Sequence, residues 1–495
     1  MKKIVISKLF LYRHRFQIGF FLLAIAYCGL LFGLPLLAPN GLSEAEMESA
    51  AHSYALQPDS VFKGDLVNLP YRALQKLSIS LFGLSIYSVK LPSIIIGLFL
   101  GLLLILLLNR WFKNSVALLA SILAVLSASF LYLAGSGTPL IMLVFWPTLL
   151  LWLGSKIQGV TKPKPMYCFI FAFALLASIF TPHLLYLAAF IVIFALAHPH
   201  LRFTIKTLPT FPLILTMFII LVGLAALVVA AFVNPVIVPQ LLLAPGLTFG
   251  QFIENIKTAF IPLFSWNTTL ESSFLSPFVG LGSIALAVIG LLSTTKGFFA
   301  SRNSIATWLI IFTIFLAGLN PESAILILLP LAILIAHGLR YILDKWYNLF
   351  PSNPYARIAA FFPIGLFMGI MILGGITHFL FGYRYVPMVA NEFNDDLNLI
   401  YDNILSDTTL YVINNDVAYN FYKILEQDGQ GYKIENTLPE ATSLPSKYAT
   451  LEHQEIPGTL NTIITSPKYE NSDRLYIYTK NQVAESVEES EESKE

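Results

Sequence analysis

Five carboxylates crowd into Gly41–Lys76, between two long apolar runs. Three of them, Glu44, Glu46 and Glu48, fall within SEAEMES. Ser43 and Glu46 have the S-x-x-E spacing of a capping box, which starts a helix and places acidic side chains against its positive end. Glu46 therefore has a structural use, and Glu48 reads as a solvated face residue. Glu44 has no such duty, which makes it the first candidate for a catalytic carboxylate that takes a proton from a hydroxyl, with Glu46 in reserve. Asn68-Leu-Pro-Tyr71 follows, then Arg72 and Lys76 four apart, and Lys90 ahead of Pro92. Cations beside carboxylates at a membrane surface can hold a lipid phosphate. They can equally be anchors whose stems lie along lipid. On the first reading Asn68, Tyr71, Arg72 and Lys90 are substrate-binding candidates.

A second polar segment lies near residue 254. Phe249, Phe252, Ile253, Ile256 and Phe260 have helical spacing and carry Glu254 and Lys257, which either contact substrate or pair with each other. His183, alone in a TPH turn, reads as structural. Cys28 and Cys168 both sit in apolar runs, so no disulfide framework and no metal cluster is expected.

The rest of the chain must position these groups. It has 495 residues, of which 56% are hydrophobic and 12% charged, against roughly 25% charged in soluble domains. That composition excludes a soluble enzyme and a nucleic-acid binder. Apolar runs fall at about 17–38, 85–108, 115–134, 138–154, 166–181, 183–198, 209–233, 276–293, 304–318, 321–339 and 358–381. Alternate connections hold 17 Lys and Arg, and the others only five. By the positive-inside rule this predicts an α-helical polytopic membrane protein of about eleven transmembrane helices, with the N-terminus inside and the C-terminus outside. The turns GSGTP, TPH and NPES then all fall at the outer surface, as do the first loop (39–84) and a second one (234–275). Hardly any charge lies within a run, which disfavours an ion-coupled transporter and favours a site at the outer boundary.

Net charge is +13 over residues 1–383 and −12 over 384–495, which marks a domain boundary. Residues 384–480 read as a small extracytoplasmic α/β domain, with strands at 408–414, in GYKIEN, in NTIITS and in RLYIYTK, and a helix at 418–426. Residues 481–495 read as a disordered acidic tail.

Several stretches carry a resemblance: SEAEMESAAHSYAL, NLPYRALQKLSISLFGLSIYSVKLPSIIIGLFLGLLLILLLNRWF and SASFLYLAGSGTPLIMLVFWPTLLLWL. They resemble the GT-C class of integral-membrane glycosyltransferases, in particular the protein O-mannosyltransferase and aminoarabinose-transferase-like group. The resemblance implies transfer of a sugar, with inversion, from a polyprenyl-phosphate-linked donor to an extracytoplasmic protein, glycan or lipid acceptor at the cell membrane. It implies Glu44 in the position of the motif's Glu and Lys90 in that of its Arg. Some members use a divalent cation, so one is compatible but not required. Ser43 stands where the motif has Asp, which leaves a second reading open: a catalytically degenerate lipid-binding scaffold or flippase of the same fold.

Overall fold

The computed structural model describes residues 10–38, 41–158, 165–242, 247–265, 270–271, 274–295, 300–350, 354–359, 361–404, 408–427, 431–438, 444–453, 459–466 and 473–480. The acidic segment 481–495 lies outside them. The described residues are 76% helical, and a helix covers each of the apolar runs expected from sequence. Among the described residues six helices are long and apolar enough to cross a membrane: Ile86–Trp111, Pro139–Gln158, Thr210–Val233, Arg302–Leu319, Pro321–Leu349 and Phe362–Tyr385. Two bent pairs raise the number to eight, Asn114–Val125 with Ala128–Gly135 at 66° and Leu185–Ala197 with Leu201–Thr207 at 93°. Phe21–Pro35, Pro165–Ile179 and Leu281–Thr294 are shorter apolar helices. The second bend falls at His198-Pro199, where proline supplies no N–H to continue the ladder.

Burial separates central from peripheral helices. The apolar window of Pro321–Leu349 is 78% buried, while that of Thr210–Val233 is wholly on the outside, where only lipid would satisfy it. Central helices approach closely through small residues. A Cβ on Gly290 would meet the Leu334 carbonyl oxygen at 2.0 Å, and one on Gly338 the Leu286 carbonyl oxygen at 2.1 Å. The helices Leu281–Thr294 and Leu328–Leu349 therefore cross backbone to backbone.

The C-terminal domain is a five-stranded sheet in the order Lys433–Glu435, Thr409–Tyr411, Lys447–Thr450, Arg474–Thr479, Thr459–Thr465. The first three strands run parallel and the last two antiparallel to their neighbours. Helix Asp416–Gln427 buries Ala418, Phe421, Tyr422 and Leu425 against the sheet. The α/β expectation holds, with Lys447–Thr450 as an additional strand.

This domain shares its core with the first loop. Met47 and Ala50, on the apolar arc of the helix Glu44–Tyr54, pack with Leu397, Ile400, Phe421 and Tyr422. At 100° per residue Met47, Ala50, Ala51 and Tyr54 form one apolar arc, which the sequence assigns to the membrane interface; in the structure the C-terminal domain covers it. Leu42–Ser43 also pairs antiparallel with Phe393–Asn394. Gly41, at φ +91°, makes the pairing possible, because a Cβ there would lie 1.9 Å from the Asn394 carbonyl oxygen.

Beneath the strap sits a buried polar node. Ser43 Oγ accepts from the Glu46 backbone N–H at 3.3 Å, and Glu46 Oε2 accepts from the Ser43 N–H at 3.0 Å, which completes the capping box. Glu46 Oε1 accepts from the Gly137 N–H at 2.6 Å. Lys90 Nζ donates to the Gly41 carbonyl at 2.8 Å and lies 3.8 Å from Glu46 Oε2, both side chains being 1% exposed. Gln75 completes the assembly. Its Nε2 donates to the Val89 and Gly137 carbonyls, and its Oε1 accepts from Ser49 and Ser53. Removing one partner of a buried charge pair costs about 3–5 kcal/mol because the other is left uncompensated. Glu46→Ala is expected to lose about that much stability, seen as a large fall in the thermal unfolding midpoint of the purified protein. Unchanged unfolding would show that the node bears no load.

Candidate active site

The three tight turns GSGTP, TPH and NPES open onto one cavity of about 810 Å³, together with the start of the helix Glu44–Tyr54. Thr138 and Pro139 come from the first turn, Thr181 to His183 from the second, and Asn320, Glu322 and Ser323 from the third. Asn68 adds part of the wall, and the C-terminal domain adds Asn391, Glu392, Asn394 and Asn415. Met47, Leu140, Leu143 and Tyr132 supply apolar surface. Tyr132 is held by stacking on Tyr383, with ring centroids 4.5 Å apart.

Glu44 is the first residue of its helix, where a carboxylate and the positive end of the helix dipole attract each other. Its side chain is exposed to the cavity and has no hydrogen-bond or ion-pair partner among the described residues. Glu48 lies one turn further along the same wall. Glu322 lines the cavity from the stretch Pro321–Ile327, its backbone N–H capped by Asn320 Oδ1 at 3.0 Å.

His183 is more deeply built in than a lone turn histidine suggests. It sits at φ +68°, in the left-handed region, pinned by its N–H to the Leu241 carbonyl at 2.9 Å. Such strain in a non-glycine residue persists only where the surroundings over-determine it. Nδ1 lies 2.8 Å from Ser323 Oγ, which links the second turn to the third. Burial pushes its pKa down to about 4, so the ring is neutral at pH 7 and serves as a hydrogen-bonding group.

Four buried polar atoms on cavity residues find no hydrogen-bond partner among the described residues: Asn68 Oδ1, Thr181 Oγ1, His183 Nε2 and Asn394 Oδ1. Each such atom costs about 1–3 kcal/mol when left unsatisfied. Asn68 is held in place by its own φ of +54° and by its N–H bond to the Phe180 carbonyl at 2.7 Å.

The remaining candidates from the sequence lie outside the cavity lining. Glu46 is consumed by the node. Tyr71 is fully buried, its hydroxyl 2.8 Å from Ser93 Oγ. Arg72 forks onto Asp65 at 2.5 and 2.9 Å and donates to the His52 carbonyl at 2.8 Å, which locks the loop between them. Lys90 is turned under the strap. Glu254 and Lys257 pair with each other at 3.0 Å on an exposed helix face. The described lining thus carries the carboxylates of Glu44, Glu48, Glu322 and Glu392 and neither lysine nor arginine. Among the described residues no three His, Cys, Asp or Glu side chains come together as a metal site, so these side chains do not fit a protein-held divalent cation. Sequence reasoning passed over Glu322, Asn320, Asn394 and Asn415; the signal for the first two was their place in a minimal turn between apolar runs, like GSGTP and TPH.

The neutral state of His183 fixes a pH dependence. Its folded pKa of about 4 lies below the ordinary value of 6.5, so between these values the unfolded chain binds more protons and stability falls with falling pH. Between pH 7 and pH 5 the loss from this group is about 2 kcal/mol. In His183→Asn, which tolerates the positive φ, that part of the acid sensitivity is expected to vanish. Thermal unfolding of both proteins at the two pH values checks it, and parallel pH profiles would contradict it.

Sequence comparison finds no matching protein-family model and no matching curated protein. Comparison of structures does find relatives. ArnT from Cupriavidus metallidurans, solved bound to undecaprenyl phosphate, superposes with a TM-score of 0.53 at 13% identity, over 94% of this chain and 98% of that one. The apo state of the same protein gives 0.54 at 12% identity with the same coverage. At such identity the likeness shows the fold. Over nearly its whole length, this chain has the fold of a GT-C-class aminoarabinose transferase, as the resemblance over residues 41–153 implied.

Proposed function

We propose that the protein is a membrane glycosyltransferase that moves a sugar from a polyprenyl-phosphate donor to an extracytoplasmic acceptor, with inversion. The observation that carries this reading is Glu44, an exposed carboxylate without a partner among the described residues, facing a cavity of about 810 Å³ whose lining includes five asparagines. A sugar ring suits that wall, and ArnT, the protein whose fold is shared, was solved with undecaprenyl phosphate. On this reading the cavity opens on the outer face of the cell membrane. Residues 1–383 form the transmembrane domain and 384–480 an extracytoplasmic one.

The reaction is a single displacement. Glu44 takes the proton of the acceptor hydroxyl as its oxygen bonds to the anomeric carbon, and the bond from that carbon to the phosphate oxygen breaks with its electron pair. The developing charge on the departing phosphate falls on neutral donors. These are the amides of Asn320, Asn391 and Asn415, which line the cavity. Arg72 and Lys90 act at one remove, by fixing the loop that carries Glu44.

The second reading, a lipid-binding scaffold or flippase of the same fold, draws on the lack of a lysine or arginine in the described lining to meet a leaving phosphate. Turnover separates the two. With a polyprenyl-phosphate-linked sugar and a panel of acceptors, Glu44→Gln is expected to lose about 10²–10⁴-fold in transfer rate, with its unfolding midpoint unchanged. Undiminished transfer would remove Glu44 from the mechanism. Binding of polyprenyl phosphate by the wild type without any sugar transfer would decide for the scaffold.

A further inference from the structure

At the end of the bundle remote from the active-site cavity, two further cavities lie side by side and share Trp111 and Arg302. One, of about 440 Å³, is lined by Lys113, Arg302 and Arg340, with Asp344 as the one carboxylate among the described residues. The other, of about 290 Å³, is walled mostly by carbon, including Leu150, Leu151, Phe171, Phe190, Phe194 and Leu309. Arg302 begins the helix Ser301–Leu319, and Asn320, in the active-site wall, follows its other end. At 1.5 Å per residue the two ends are about 27 Å apart, close to the thickness of the hydrocarbon layer. The paired cavities therefore lie at the opposite membrane surface.

Arg302 is held where the two cavities meet. Its Nη1 donates to the Trp111 carbonyl at 2.9 Å, and its guanidinium lies over the Phe112 ring at 5.5 Å. Phe112 is itself set by an edge contact with His337, with centroids 4.8 Å apart. Arg340 is half-exposed and meets Asp344 only at 3.4 Å, a surface pair of little worth. Lys113 is exposed at the start of the helix Asn114–Val125. Three cations thus face one carboxylate beside an apolar cleft, at the depth where a lipid headgroup meets its chains.

We propose that these cavities bind an anionic phospholipid from the leaflet opposite the active site. Its phosphate lies among Arg302, Arg340 and Lys113, and one acyl chain fills the apolar cleft. Basic pockets between membrane helices attract anionic headgroups, and the cleft gives an acyl chain what free phosphate cannot use. The site is independent of the reaction proposed above.

The test is lipid retention by the purified full-length chain, read by native mass spectrometry after incubation with phosphatidylglycerol or phosphatidylcholine of matched chains. Phosphatidylglycerol is expected to be retained preferentially. Each cation near an anionic lipid contributes a factor of about five, so Arg340→Gln should weaken retention about fivefold and the double variant with Arg302→Gln further. Arg340→Gln carries the decision if Arg302→Gln unfolds, since Arg340 is exposed and bonded only weakly. Gly154 lines the cleft and a Cβ there meets nothing within 4 Å, so Gly154→Phe should weaken retention by filling the cleft. Lys257→Gln, elsewhere on the surface, should leave it unchanged. Equal retention of the two lipids, or retention indifferent to Arg340→Gln, would overturn the site. Displacement by glycerol phosphate together with indifference to Gly154→Phe would overturn the lipid in favour of a bare phosphate site.

Discussion

The wall of the large cavity depends on one buried ion pair. Lys90 and Glu46 are each 1% exposed, and their combined hydrogen bonds reach Gly41, Ser43 and Gly137. These three lie beside the strand pair of Leu42–Ser43 with Phe393–Asn394, at the start of the helix that carries Glu44, and in the turn GSGTP. A charge in that position is costly unless fully partnered, and here each charge finds its partner on a different chain segment. The pair therefore acts as a registry device: the segments are held together because neither charge can be buried without the other. Gln75 makes the same argument with neutral groups, joining Ser49 and Ser53 to Val89 and Gly137.

That use of Lys90 and Glu46 leaves the cavity with a particular electrostatic character. The cations nearest the site by sequence are turned away into structural bonds, Arg72 onto Asp65 and Lys90 onto the Gly41 carbonyl. The carboxylates of Glu44, Glu48, Glu322 and Glu392 remain on the cavity side. Such a site favours proton removal and hydroxyl recognition over capture of an anion by direct charge. A phosphate-bearing lipid would have to be held through neutral amides and its own apolar chain, whose burial contributes about 0.8 kcal/mol per methylene.

The helical bundle was legible because hydrophobic runs of this length have few alternatives in lipid. The capping box at Ser43–Glu46 was legible because it is local, needing only four residues in a row. The Glu254–Lys257 pair could be read for the same reason. The destinations of Arg72 and Lys90 could not. A cation near carboxylates is compatible with phosphate binding and with a buried structural bond, and only the three-dimensional placement of Asp65, Gly41 and Glu46 separates the two. His183 reads as structural in the sequence, but what it holds together could not be read, for a related cause. Its importance lies in a positive φ, a bond to Ser323 140 residues away and burial that keeps it neutral, none of which is visible in TPH. The apolar arc of Met47 and Ala50 was read correctly as buried surface and assigned the wrong cover, since amphipathicity fixes that a face is hidden and not what hides it.

The same arc explains why the C-terminal domain belongs to the site. Its core is continuous with Leu42, Met47 and Ala50 of the first loop, and Phe393–Asn394 extends the strap as a second strand. Asn391, Glu392, Asn394 and Asn415 enter the cavity wall from this side. Asn394 and Asn415 also line a second cavity of about 460 Å³ within the domain, beside Asp396 and Asp473. Burial and the neighbouring Asp473, Asp395 and Glu452 push the Asp396 carboxyl up to about 7. A module that merely capped the bundle would not need to share wall residues between two cavities. The domain instead joins the cavity wall beside Glu44, where Phe393–Asn394 pairs with Leu42–Ser43, so the bundle and the sheet line the cavity together.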